Sequence, residues 1–371
     1  MVEPQRMAVD QAFAQAQACH AAGQLNDAKA AFERILTETP DHPQALTMLA
    51  SIYYRLGRDS QADAYLDRAI NVYRAVLIEA PNMQRLRAGY VNLLLARDRV
   101  AEAESEIRSL LMPLVPMRAD PAEFERMRRQ GQEKKLPPIL VNTLPKTASE
   151  SIWNKLARGL GVAQCHVSIG LFPDCCAVPS RVDQLAEGGA SAKEHLPATP
   201  HNLATLAAAG IQRLIMHVRD PRQATLSWAH FVSDDVGKRP LGPLWRKIVP
   251  PADVLKYPLR EQLDWHIADY LPRVIRYIDE WLAVADDPNN GLEIAFLTFE
   301  AFKRDPGDYY SRALDTLGID GEAFEIAAEA ETVHLRKGKT DEWRDVFKPI
   351  QRDRAWDKIP REMAERLGWL P

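Results

Sequence analysis

Gly23 and Gly57 stand 34 residues apart in the sequence, and so do Ala28 and Ala62. A fixed interval of this size marks a chain built from one repeated supersecondary unit, here long enough for two helices and their turns. In the first unit Gly23 opens the turn, Ala28 is the small residue where the helices cross, Phe32 packs between them and Pro40 ends the second helix. The second unit repeats the pattern with Ala50, Tyr53, Gly57, Ala62, Ala69 and, after an extension, Pro81. From Ala62 to Ala103 is 41 residues, seven beyond one period, which predicts a second helix about two turns longer with the same face inward. A third, looser unit runs from about Gln84 to Leu110, with Ala103 at the crossing and Asp98 where the turn glycine belongs. One such pair cannot bury its apolar face alone, so the pairs stack into a solenoid that either docks a partner segment or braces the rest of the chain.

The period and its residues resemble tetratricopeptide repeats over residues 8–115, which implies a protein or peptide partner on the repeat face. The rest of the composition is that of an ordinary globular chain: 371 residues, 46% hydrophobic, 26% charged, with 47 basic against 51 acidic side chains for a net charge of −4. That balance lacks the basic footprint of a nucleic-acid-binding protein. No apolar run approaches the length of a transmembrane segment, and the first thirty residues carry no basic-then-apolar leader, so a cytoplasmic location is expected. Four cysteines without a CxxC pair make no disulfide framework. Cys165, His166, Cys175 and Cys176 are of zinc-ligand type, but free cysteines are commonly small buried hydrophobes, and no metal is expected.

From Met112 to Pro138 the chain turns proline-containing and strongly charged, which predicts a linker over 116–137 with a short helix between Pro121 and Pro137, and a second domain over 138–371. That domain opens with a β-branched run, Ile139 to Asn142, then a small-residue loop, Pro145 to Ser149, then helical spacing from Ser151 to Leu160 stopped by Gly161. Strand, tight loop and helix place backbone N–H groups and the positive end of a helix around an anion, with Lys146, Thr147, Ser149 and Ser151 adding a charge and three hydroxyls. The lysine comes early in the loop and no glycine is present, unlike GxxxxGK[ST], which disfavours a magnesium-dependent NTPase. A second strand, Leu214 to Val218, ends at Arg219-Asp220-Pro221 before a helix carrying Ser227. Arg219 and Ser227 are suited to one phosphate, the guanidinium fork matching its oxygens. A basic turn, Arg336-Lys337-Gly338-Lys339, follows near the end of the chain.

These segments together resemble the sulfotransferase family. LPKTASESIW is similar to its 5′-phosphosulfate loop, VRDPRQATLSW to its 3′-phosphate motif, RKGKTDEW to its C-terminal RKG turn, KEHLP (193–197) to its KTHLP segment and LTFEAFKRDP (297–306) to the strand and acidic turn between them. The resemblance implies an all-α tetratricopeptide-like solenoid followed by an α/β sulfotransferase domain with a parallel sheet, similar to that of P-loop NTPases. It further implies 3′-phosphoadenosine 5′-phosphosulfate (PAPS) as donor, without a metal. Carried over, Lys146 touches the 5′-phosphate and bridging oxygen, with Thr147, Ala148, Ser149, Glu150 and Ser151 completing that loop. Arg219, Ser227, Arg336, Lys337 and Gly338 hold the 3′-phosphate. His195 is the general base, and Lys193 assists at the leaving side.

Ala148 stands where the family has glycine, Glu150 where it has a hydroxyl residue, and Ser151 in the place of its adenine-stacking tryptophan, with Trp153 two residues on. Which ring contacts adenine is open. Other members of the superfamily use a carboxylate base, which leaves Glu150, Asp174 and Glu194 as alternatives to His195. Residues 232–262 are expected to form an acceptor-side lid whose Lys238, Arg239, Arg246 and Lys247 suit an acidic or sugar-like acceptor, leading into a helix from about Arg260 to Val284. The acceptor, whether carbohydrate, lipid, phenol or peptide tyrosine, is not legible. The rival readings are a P-loop kinase and a helical-repeat adaptor whose sulfotransferase-like domain binds nucleotide without catalysis.

Overall fold

Six helices carry the 34-residue periodicity. The computed structural model describes residues 3–117, 119–236, 241–325 and 338–371, and its first elements are α1 (Glu3–Ala21), α2 (Leu25–Glu38), α3 (Pro43–Arg55), α4 (Asp59–Glu79), α5 (Gln84–Ala96) and α6 (Val100–Ile107). They pack as α1 on α2, α3 on α4 and α5 on α6. The turns within the pairs take left-handed backbone at Gly23 (φ 75°), Gly57 (φ 68°) and Asp98 (φ 58°). Ala28, Ala62 and Ala103 are fully buried at the crossings, and Phe32 meets Phe13 edge-on with ring centroids 5.4 Å apart. Helix α4 runs 21 residues against 14 for α2, the two extra turns that the spacing predicts.

The chain continues through β1 (Val115–Pro116), α7 (Pro121–Glu133), β2 (Ile139–Thr143), α8 (Ser149–Leu160), β3 (Ala163–His166), β4 (Ser168–Ile169), β5 (Cys176–Ala177), α9 (Pro179–Ala186) and β6 (Ala190–Glu194). There follow α10 (Pro200–Ala208), β7 (Arg213–Val218), α11 (Pro221–Asp234), α12 (Leu259–Trp265), α13 (Leu271–Asp286), β8 (Glu293–Thr298), α14 (Phe299–Arg304) and α15 (Pro306–Leu317). The last helices are α16 (Trp343–Val346), α17 (Pro349–Trp356) and α18 (Arg361–Leu367). Two units result, one of residues up to Ser109 with Ala229–His266, the other of Leu110–Trp228 with Ile267–Pro371. The expected linker thus carries β1 and α7 and groups with the second unit, where the buried Arg128 of α7 donates to the Gln184 carbonyl at 2.8 Å and pairs with Glu187.

The second unit is α/β. Its sheet has the order β1-β3-β6-β2-β7-β8, with β3, β6, β2, β7 and β8 parallel and β1 antiparallel at the edge. Strands β2 and β6 are buried along their whole length, as in sheets covered on both faces. Helix α8 and α15 contribute Ile152, Trp153, Leu156, Tyr310 and Leu314 to the core on Ile139 and Val141 of β2. The connection after β2 leads toward β3 and that after β7 toward β8, so the chain parts in opposite directions beyond the carboxyl ends of two adjacent strands. Open α/β sheets place ligands at that switch point.

The helix expected from Arg260 to Val284 is interrupted. Helix α12 ends at Trp265, a π-helical turn spans His266–Tyr270, and α13 starts at Leu271. Pro272, in the first turn of α13, has no N–H to continue the α-helical ladder.

Candidate functional site

At the switch point, β2 hands over to α8 through a loop in which Lys146 and Ala148 both take left-handed backbone (φ 65° each). Each such non-glycine residue costs roughly 1–2 kcal/mol and persists only where neighbours over-determine it. The neighbour here is His217 on β7, fully buried. Its Nε2 lies 2.8 Å from the Thr147 carbonyl and its Nδ1 2.8 Å from the Tyr309 hydroxyl. A carbonyl only accepts, so Nε2 carries the proton and Nδ1 accepts from Tyr309. Burial lowers the His217 pKa to about 4, keeping the ring neutral as this relay needs. Ala148, at the N-cap of α8, offers no side-chain cap, which leaves the positive end of the helix facing the loop.

The loop's hydroxyls divide. Thr147 is fully buried, its hydroxyl 3.0 Å from the Leu144 carbonyl and 2.8 Å from the Thr143 hydroxyl, so it serves the loop's own shape. Ser149 is buried, while Lys146, Ala148, Glu150 and Ser151 are half-buried. Glu150 is held by Lys193, whose ammonium lies 2.5 Å from its carboxylate and 5.9 Å over the Trp153 ring. Trp153 itself is fully buried and donates its Nε1–H to the Ser191 hydroxyl at 2.5 Å. Of the rings considered for adenine, this one belongs to the core.

His195 follows β6 and is half-buried. Its Nδ1 donates to the Thr143 carbonyl at 2.6 Å, which leaves Nε2 as a bare lone pair. Burial, reinforced by the charge of Lys193, lowers its pKa to about 4. The Tyr277 hydroxyl donates to the same carbonyl at 3.2 Å, and Phe172 meets the His195 ring edge-on at 6.5 Å. Glu194 is fully buried and accepts from the Val167 N–H and the Ser168 hydroxyl, both at 2.5 Å, with His166 at 3.3 Å. Burial acts to raise its pKa, but these donors prevail and hold it below the usual carboxylate range, which ties Glu194 to structure.

Arg219 leaves the carboxyl end of β7 buried, its guanidinium 4.3 Å over the Phe299 ring. It donates to the Lys146 carbonyl at 3.1 Å and to the Lys339 carbonyl, so the loop, the strand end and the residue after Gly338 meet. Gly338 has φ 60°, a conformation suited to glycine. Arg336 and Lys337 lie outside the described residues, as do Lys238 and Arg239 of the expected lid. Ser227 is half-buried two turns into α11. The remainder of residues 232–262 groups with the helical unit, where Arg246 and Lys247 are paired with Asp98.

Sequence reasoning missed two structural supports of the site. His217 was detectable only as a polar residue inside the apolar run RLIMHV, and Tyr309 carried no signal at all. It also missed Arg222, buried between Trp343 and Trp356, its guanidinium 3.9 and 4.9 Å from the two rings, while bonding Asp220 at 2.8 and 3.0 Å and the Leu370 carbonyl at 2.5 Å. These contacts fix the turn after Arg219 to the C-terminal helices.

Cys165, Cys175 and Cys176 are buried, and burial raises the Cys165 and Cys175 thiols above their usual range. Among the described residues no group of three or more His, Cys, Asp or Glu is arranged to hold a metal ion. No helix among them is long and apolar enough to cross a membrane. The tetratricopeptide repeat family matches residues 20–71. No curated protein matches the chain. The crystal structure of mouse sulfotransferase SULT7A1 complexed with PAP is similar to it, with a TM-score of 0.41 and 14% identity over 61% of this chain and 84% of the mouse chain. A likeness at that level leaves the function to the residues themselves.

Proposed function

We propose that the α/β unit is a PAPS-dependent sulfotransferase that moves a sulfuryl group to an acceptor hydroxyl, or an amine. The observation that carries the reading is the position of Arg219, donating to the carbonyls of Lys146 and Lys339 and so joining three segments that the sequence marked for phosphate. PAPS would supply the activated sulfuryl group. The uncapped first turn of α8 and Lys146 suit its 5′-phosphate, with Ser149 and Ser151 at hand; Arg219, Ser227, Arg336, Lys337 and Gly338 are assigned to the 3′-phosphate. His195 presents the lone pair of Nε2 to take the acceptor's proton as the acceptor oxygen bonds sulfur and the sulfur–bridging oxygen bond breaks. Lys146 neutralises the charge left on the bridging oxygen. In such a loose, in-line transfer, positioning and placed positive charge supply most of the catalysis. Lys193, beside this centre, is held by Glu150.

Calorimetry with adenosine 3′,5′-bisphosphate, AMP and ATP with magnesium, on the wild type and on Arg219→Ala, tests the reading. Binding that prefers the bisphosphate and collapses in the variant is expected. At a hundredfold excess over Kd such a ligand also stabilises the fold by about 2.7 kcal/mol. Absence of binding, or preference for ATP with magnesium, rejects the sulfotransferase reading in favour of an adaptor or a kinase.

A further inference from the structure

Asp98 holds, in the third repeat, the turn position that glycine holds in the first two, with the same left-handed backbone. Aspartate tolerates that region better than most residues, but glycine enters it at no steric cost, so the backbone gives no reason for a carboxylate. The side chain does: it lies 2.8 Å from Arg246 and 2.6 Å from Lys247. Lys247 is buried, and its ammonium also donates to the Leu95 carbonyl at 3.0 Å. Arg246 donates to the Ala96 carbonyl at 2.9 Å and stacks its guanidinium 4.8 Å over Tyr54. Leu95 and Ala96 close α5, where the helix dipole is negative; the Leu95 carbonyl accepts from the Asp98 N–H at 3.2 Å and takes the Lys247 ammonium as a further donor. Farther along, the Ala252 N–H donates to the Arg55 carbonyl at the end of α3 at 2.8 Å, and the Ser51 hydroxyl of α3 donates to the Leu241 carbonyl. A buried ammonium is costly without acceptors, so the segment settles where this set of acceptors is offered.

We propose that Asp98 and the carboxyl ends of α3 and α5 form a docking site whose occupant is this chain's own segment 241–252. The repeat helices act as an internal receptor for the stretch joining α11 to α12, by charge complementarity between Asp98 with the α5 terminus and the Arg246-Lys247 pair. The proposal stands independently of the nucleotide reading.

Amide hydrogen exchange on the full chain tests it with Asp98→Asn and Asp98→Gly, which keep a residue suited to the turn and remove the charge. Amides of the segment, Ala252 above all, should exchange about tenfold faster, with α5 and α6 unchanged. Lys247→Met, which removes the cation at similar volume, should reproduce the effect. Unchanged protection of the segment in these variants overturns the proposal, and so does loosening spread equally through α5 and α6, which would make Asp98 a turn residue only.

Discussion

The ammonium of Lys193 lies 2.5 Å from the carboxylate of Glu150, joining the end of β6 to the first turn of α8. This contact accounts for an acid in a loop otherwise suited to anions, since its charge is answered from the neighbouring strand. Glu150→Gln should free the Lys193 charge toward the loop and tighten adenosine 3′,5′-bisphosphate binding about fivefold. Titration calorimetry reads this directly, and unchanged or weaker binding would show that the pair only braces the strand against the helix.

The relay from Tyr309 through His217 to the Thr147 carbonyl holds a loop with two left-handed non-glycine residues. His217→Leu should therefore weaken bisphosphate binding about tenfold, the worth of one buried hydrogen bond left unmade. His217→Gln, whose amide can donate in place of Nε2–H, should recover most of it. Equal loss in both variants would mean that the ring's volume, rather than its donor, shapes the loop.

His195 is neutral through the physiological range because burial and Lys193 lower its pKa to about 4. In the proposed transfer, kcat/KM of the free enzyme should be level across neutral pH and fall as pH drops through about 4, where Nε2 becomes protonated. His195→Ala should lose turnover and keep bisphosphate affinity. Turnover surviving in the variant would move the base to a carboxylate, and an inflection between pH 6 and 7 would mean that the imidazole titrates at its ordinary value and is not depressed by its surroundings.

Trp153 donates to the Ser191 hydroxyl from within the core. Trp153→Phe should lower stability by about 1–2 kcal/mol in chemical denaturation while nucleotide affinity stays the same. A large loss of affinity with stability intact would return this ring to adenine.

His20, His217 and His266 are buried, with pKa values lowered by burial to about 4, 4 and 3. Unfolding releases each to its ordinary 6.5, so the unfolded chain binds more protons once the pH is below that value. Their stabilisation is complete above pH 6.5 and is lost as pH falls toward the folded values, His266 having the largest depression of the three. Denaturation midpoints measured from pH 7 to pH 4 should fall steadily, less so in His217→Gln. A flat profile would contradict the burial of these rings as neutral groups.

The repeat helices were legible because their signal is local: turn residues and crossing alanines recur at a fixed interval, and the seven-residue excess after Ala62 marks the longer α4. The strand, loop and helix around Lys146 were legible for the same reason, and so was an α/β class with a parallel sheet. What the sequence alone could not decide are the partners of charged and polar groups far apart along the chain. Glu150 and Lys193 are 43 residues apart, His217 and Tyr309 are 92, and Asp98 and Arg246 are 148. Periodicity says which face of an element is apolar, but the partner of a buried donor or charge is set by which strand ends and helix termini the fold brings together. Tertiary structure therefore assigned Trp153 to the core, fixed the tautomers of His195 and His217, and gave Asp98 a reason to replace glycine.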